Sequence, residues 1–112
     1  MAYDVKLEKR IDQVISSWDV EVVKKMMFGG LGYLIGGNMA FGIHHNGELI
    51  VRIDDMKGKE LLKQPEFHYF EMGGKKSMKN WYMAGGLALE NDNLSRLLTL
   101  GRDFVLNLPP KK

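Results

Sequence analysis

Leu7, Ile11, Val14, Ile15 and Trp18 recur at helical spacing near the start of the chain, with Glu8, Lys9, Arg10 and Asp12 on the other side. This period predicts an amphipathic helix over residues 4–17. The pattern then changes, and residues 22–53 are expected as three strands. An apolar run over 22–28 leads through Gly29-Gly30 into 31–35, Gly36-Gly37-Asn38 marks a turn, and runs over 39–45 and 48–53 flank Asn46-Gly47. Asn-Gly between apolar runs is a strong hairpin signal, because these residues accept the positive φ that tight turns demand.

A two-residue turn at Asn46-Gly47 fixes a register, pairing His45 with Glu48, Ile43 with Ile50 and Phe41 with Arg52. That register gathers Phe41, Ile43 and Ile50 on one face as a candidate interaction surface. Ala40, Gly42, His44, Leu49, Val51 and Ile53 fall on the opposite face. If helices cover only one face, the other keeps an apolar centre, and such patches mark interaction sites. A homodimer is the expected partner, beside an unidentified protein, since one patch can pair with itself across a two-fold axis. The loop Leu87-Ala88-Leu89 is the competing cover for this face.

Asp54-Asp55 precedes a short helix over about 56–63, stopped by Gln64-Pro65. Strands are expected over 67–72 and 78–84, around the turn Gly73-Gly74-Lys75-Lys76, and Gly85-Gly86 opens a loop. Asn91-Asp92-Asn93 offers N-caps for a final helix lined by Leu94, Leu97, Leu98, Phe104, Val105 and Leu108. Gly101 shares that line; glycine costs about 1 kcal/mol against alanine inside a helix, so a close neighbour is expected there. The order α-β-β-β-α-β-β-α predicts a two-layer α+β domain, a mostly antiparallel sheet with helices packed on it. One domain over residues 1–108 and a short polar tail at 109–112 account for the chain.

Composition narrows the chemistry. The 112 residues include no cysteine, which removes thiol nucleophiles, disulfides and cysteine-based metal sites. Sixteen Lys+Arg against fourteen Asp+Glu leave a net charge of +2, too small to imply a nucleic-acid or membrane partner. No stretch reads as a signal peptide or a membrane span, so a cytoplasmic protein is expected.

Candidate sites are each explained by simpler packing or capping. Gly30-x-Gly32 begins a dinucleotide fingerprint, but the third glycine would fall at Ile35, and a hairpin follows rather than a helix. Gly73-Gly74-Lys75-Lys76-Ser77 lacks the first glycine of a phosphate loop, since position 69 is Tyr. His44 and His45 are expected on opposite faces of a regular strand, so they cannot share one metal site, and His44 with His68 on a neighbouring strand is the pairing considered. Asp54 and Asp55 sit where a helix cap and its dipole favour carboxylates. The eight methionines read as core filling. No catalytic residue, cofactor or metal ligand is assigned, and a non-enzymatic interaction or regulatory module is expected. The alternative is a nucleic-acid-associated regulator, with Lys75, Lys76 and Lys79 meeting phosphates beside Trp81 and Tyr82.

The stretch Lys25-Met26-Met27-Phe28-Gly29-Gly30-Leu31-Gly32-Tyr33-Leu34-Ile35-Gly36-Gly37-Asn38-Met39-Ala40-Phe41 resembles the opening of the TfoX N-terminal domain family. Met27, Phe28, Gly29 and Gly30 form the motif core. Asn46-Gly47-Glu48-Leu49-Ile50-Val51-Arg52-Ile53-Asp54, then Pro65-Glu66-Phe67-His68-Tyr69, and Met78 with the aromatics at 81 and 82 continue the likeness over roughly residues 20–108. The resemblance implies a two-layer, secretion-chaperone-like fold. It also implies kinship with regulators of natural competence, which act with the cyclic-AMP receptor protein and carry a second, C-terminal domain. It brings no catalytic residues.

Overall fold

In the computed structural model, which describes residues 4–27, 29–70 and 80–109, Asp4 caps the first helix. Its carboxylate accepts the backbone N–H groups of Lys6 and Leu7 at 2.9 and 3.2 Å. Helix α1 runs over Val5–Ile15 and buries Leu7 and Ile11. Strands β1 (Val23–Met27), β2 (Gly30–Ile35), β3 (Asn38–Ile43) and β4 (Leu49–Arg52) follow, then α2 (Asp55–Leu61). After α2 come β5 (Phe67–Tyr69), β6 (Trp81–Ala84), a 3-10 helix (Gly86–Leu89) and α3 (Asp92–Leu106). Four strands rather than three precede α2. The reason is Gly29, whose φ of +73° turns the chain back between β1 and β2.

The strands form one antiparallel sheet in the order β1-β2-β3-β4-β6-β5. The α+β class and the helix-on-sheet arrangement are as the sequence predicts. The larger core lies under the helices: Leu31, Tyr33, Phe41, Ile43, Leu49, Val51 and Tyr82 from the sheet meet Leu7, Ile11, Leu94, Leu97, Leu98 and Val105. At about 25 cal/mol per Å² of apolar surface removed from water, this burial is the main favourable contribution to folding. Gly101 lets α3 settle on the sheet. A Cβ there would lie 2.7 Å from the carbonyl oxygen of Ala40 and 3.2 Å from the Phe41 and Val51 side chains.

The β3–β4 hairpin departs from the expected register. Ile43 pairs with Leu49, Gly42 with Ile50 and Phe41 with Val51. The connection has three residues, not two. The His44 N–H donates to the Glu48 carbonyl at 2.8 Å, and Gly47, at φ +92°, donates its N–H to the His44 carbonyl at 2.9 Å. This is the arrangement of a turn closed by a glycine bulge. Asn46 supports it through its side-chain oxygen, which accepts the Glu48 N–H at 2.9 Å.

One residue of slip moves a side chain to the other face. Phe41 and Ile43 therefore join Leu49 and Val51 under the helices, while Ile50 joins Met39, Phe70 and Met83 in a smaller cluster on the opposite face. The three residues expected to share one surface are split between two cores. They are 0%, 1% and 2% exposed in the single chain, so they offer no apolar patch to a partner. The Leu87-Ala88-Leu89 segment covers the helix side instead, with Ala88 and Leu89 buried in the larger core and Leu87 exposed.

At the start of α3, Asn91 occupies the N-cap position at φ +53°, but its side chain makes no capping hydrogen bond. Among the described residues, no helix is long and apolar enough to cross a membrane.

Candidate functional site

Strand β1 forms one outer edge of the sheet, and its side chains are mostly exposed. Its inner side pairs with β2 from Val23↔Leu34 to Met27↔Gly30. No described strand pairs with its outer side. An edge of this kind presents unpaired backbone donors and acceptors, which a further extended segment can satisfy.

Alternation along β1 gives its two faces different chemistry. Lys24 faces α1, where its ammonium bridges Glu8 at 2.7 Å and Asp12 at 3.0 Å. The hydrogen bond to Glu8 is the main cause that raises the Lys24 pKa above its ordinary value, with Asp12 adding to it. The same ammonium lies 5.9 Å from the Tyr33 ring centroid, and the Tyr33 hydroxyl donates to Asp12 at 3.3 Å. Lys24 is thus committed to fastening the edge onto α1. Lys25 is exposed and has no ion pair among the described residues. By the same alternation Val23 shares the face of Lys25 and Met26 that of Lys24; they are 52% and 58% exposed, large apolar residues that the edge offers to solvent.

The motif Met27, Gly29 and Gly30 builds the inner end of this edge. Gly29 supplies the left-handed turn. A Cβ at Gly30 would fall on the carbonyl oxygen of Ile43, so only glycine lets β2 approach the β3 backbone there. Met27 folds over Gly32, and the Met39 methyl would meet a Cβ at Gly42 at 2.6 Å. Missing side chains on β2 and β3 therefore make room for the two thioethers on the face away from the helices. Phe28, the remaining member of the motif, lies outside the described residues, as do Lys75, Lys76 and Lys79.

The histidines do not converge on one centre. His44 and His45, beyond the end of β3, bring their ring centroids to 4.0 Å instead of pointing apart. His68 lies on β5, where its Nε2 meets Glu48 Oε1 at 2.8 Å. No group of three or more metal-ligating side chains gathers among the described residues. Asp54 caps α2 by accepting the Lys57 N–H at 3.1 Å. Asp55 accepts from Asn80 at 3.0 Å and from the Tyr82 hydroxyl at 3.4 Å. Burial first, and the Asp55 carboxylate second, push the Tyr82 phenol up to about 12.

Arg52 is the sheet's half-buried cation. Its guanidinium lies 4.8 Å from the Trp81 ring centroid and 5.2 Å from that of Phe104. Among the described residues its Nε is buried without a hydrogen-bond partner, and desolvation lowers its pKa. Contact with two aromatic faces offsets part of that cost.

Val23 was not singled out from the sequence, and the reading of the methionines as core filling fails at Met26 and Met56, which are 58% and 86% exposed. A usable signal was present: Lys24-Lys25 inside an otherwise apolar run is how an edge strand resists uncontrolled pairing.

Among known families, the model of the TfoX N-terminal domain matches residues 15–102. No curated protein and no solved structure matches the chain.

Proposed function

Because this chain belongs to the TfoX N-terminal domain family, a domain of competence-regulator type, we propose that it works as a non-enzymatic regulatory module that holds a partner protein along β1. The observation that carries this reading is the open edge of β1, with Val23 and Met26 exposed beside Lys25. An extended segment adding to this edge gains main-chain hydrogen bonds, while alternate side chains give selectivity. The partner segment is extended, with acidic and apolar side chains toward Lys25 and Val23 on one face and an apolar one toward Met26 on the other. A second copy is the weaker occupant. Antiparallel self-pairing centred on Lys25 sets two lysines opposite each other, and like charges in direct cross-strand contact are destabilising.

The test compares the wild-type domain with Lys25→Glu and Met26→Glu variants, both exposed changes that leave the cores intact. Immobilised domains are exposed to extract from the source cells, and retained proteins are quantified by mass spectrometry. Light scattering reports self-association in parallel. The reading expects a protein retained by the wild type and lost from both variants, with a monomeric domain. Identical retention by all three proteins overturns it. A dimer that both variants dissolve replaces the acidic partner with a second copy.

A further inference from the structure

A cleft of about 460 Å³, lined by residues of α2, β5, the 3-10 helix and α3, opens to solvent. That volume falls within the range of small-molecule sites. Its apolar lining comes from Leu61 of α2, Phe67 of β5, Ala88 of the 3-10 helix, and Leu97 and Leu100 of α3. Phe67, Ala88 and Leu97 are 8%, 6% and 4% exposed and belong to the main core, so the floor is part of the packed interior. The polar groups are Lys57, Gln64, Asn93, Arg96 and Thr99, and among the described residues no carboxylate lines the cleft.

Two of these groups set the charge. Lys57 and Arg96 are exposed, come from different helices, and make no ion pair among the described residues. The neutral groups are partly committed: Asn93 donates to the Leu87 carbonyl at 3.3 Å, and the Thr99 hydroxyl donates to the Ser95 carbonyl at 2.9 Å. An apolar floor with two unpaired cations and no acid on the lining favours a ligand with a greasy body and an anionic head. A cationic amphiphile is repelled by Lys57 and Arg96, an uncharged one gains only the weaker bonds to a neutral acceptor, and a bare inorganic anion leaves the floor unused.

We propose that this cleft binds a small amphipathic carboxylate, its hydrocarbon body against Leu61, Phe67 and Leu97 and its head between Lys57 and Arg96. The site is separate from the β1 edge, so the domain carries a ligand site as well as a protein-binding strand.

Decanoate is the probe, with decylamine and decanol as controls of equal chain length. Titration into isotope-labelled domain, followed by amide shifts, expects saturable one-to-one binding of decanoate, with shifts concentrated on residues 57–67 and 88–100. Affinity should fall at least tenfold in Lys57→Glu and in Arg96→Glu. Both are surface changes, and unchanged spectra elsewhere establish that the variants fold. Decylamine should not bind, and decanol should bind at least tenfold more weakly than decanoate. Lys25→Glu should bind decanoate like the wild type, which separates this outcome from that of the edge test. Three results overturn the proposal: no saturation at millimolar decanoate, equal binding of decanoate and decylamine, or full affinity in both charge-reversed variants.

Discussion

Gly30 lies so close to the backbone of Ile43 that a Cβ on the glycine would fall on the isoleucine carbonyl oxygen. Its neighbour Gly29 is constrained differently, by a φ of +73° with the nearest side chain, His45, 3.5 Å from where a Cβ would stand. Two adjacent glycines are thus required for unrelated reasons. Gly29→Ala should cost about 1–2 kcal/mol, the strain of a left-handed residue. Gly30→Ala should cost about 1–3 kcal/mol through overpacking. Gly29→Asn should recover part of the first loss, while Gly30→Asn should recover none of the second. Denaturant unfolding of the four variants checks the pattern.

Gly58 gives a sharper case. Placed inside α2, it should gain about 1 kcal/mol on replacement by alanine from helix propensity alone. A Cβ there would enter the Tyr82 ring, so Gly58→Ala is expected to destabilise the domain. In a Tyr82→Leu background the obstruction is gone, and the same replacement should become neutral or stabilising. Loss of the destabilisation in the second background, measured by unfolding midpoints, is the required result.

Tyr82 also sets an alkaline limit. Its folded pKa of about 12 exceeds the ordinary value of 10.0, so the folded state holds the phenolic proton more tightly than the unfolded chain does. The contribution is whole below pH 10 and is lost as pH rises toward 12. Wild-type stability should therefore fall more steeply across that window than the stability of Tyr82→Phe. Parallel slopes for the two proteins would exclude this cause.

Ile43→Lys and Ile50→Lys test the hairpin. Each residue is buried within the single chain, though on opposite faces of the sheet. Each lysine would place an unpaired charge in a core, at a loss on the order of 4 kcal/mol or more. Both variants should unfold, as judged by circular dichroism. A folded monomer from either would return that residue to an exposed surface.

That hairpin also marks where the sequence stops being legible. Helices α1 and α3, the sheet, and the close approach at Gly101 follow from apolar spacing and residue size. Asn46-Gly47 announced a turn, but the dipeptide serves loops of two and of three residues. Alternation usually decides between them by sending polar residues outward. Here both faces of β4 are apolar, with Leu49 and Val51 on one and Ile50 on the other, so either register satisfied the pattern. The candidate site was less legible still. Lys57 and Arg96 are 39 positions apart and come to line one cleft only through the tertiary fold, which no local period encodes. Likewise, β1 is an edge because of the order of strands, a property of the assembled sheet.

Strand β6 lies between β4 and β5 although it follows both in the chain. A polypeptide leaving the ribosome can zip β1 through β4 as successive hairpins, yet β5 has no neighbour to join until residues 81–84 are made. Translation therefore passes through a stage in which the outer backbone of β4 is bare and the apolar Phe67 is still unseated. Chains truncated before residue 81 should be held by chaperones or aggregate, and release from that state should require both the late-arriving strand and the α3 leucines of the same core.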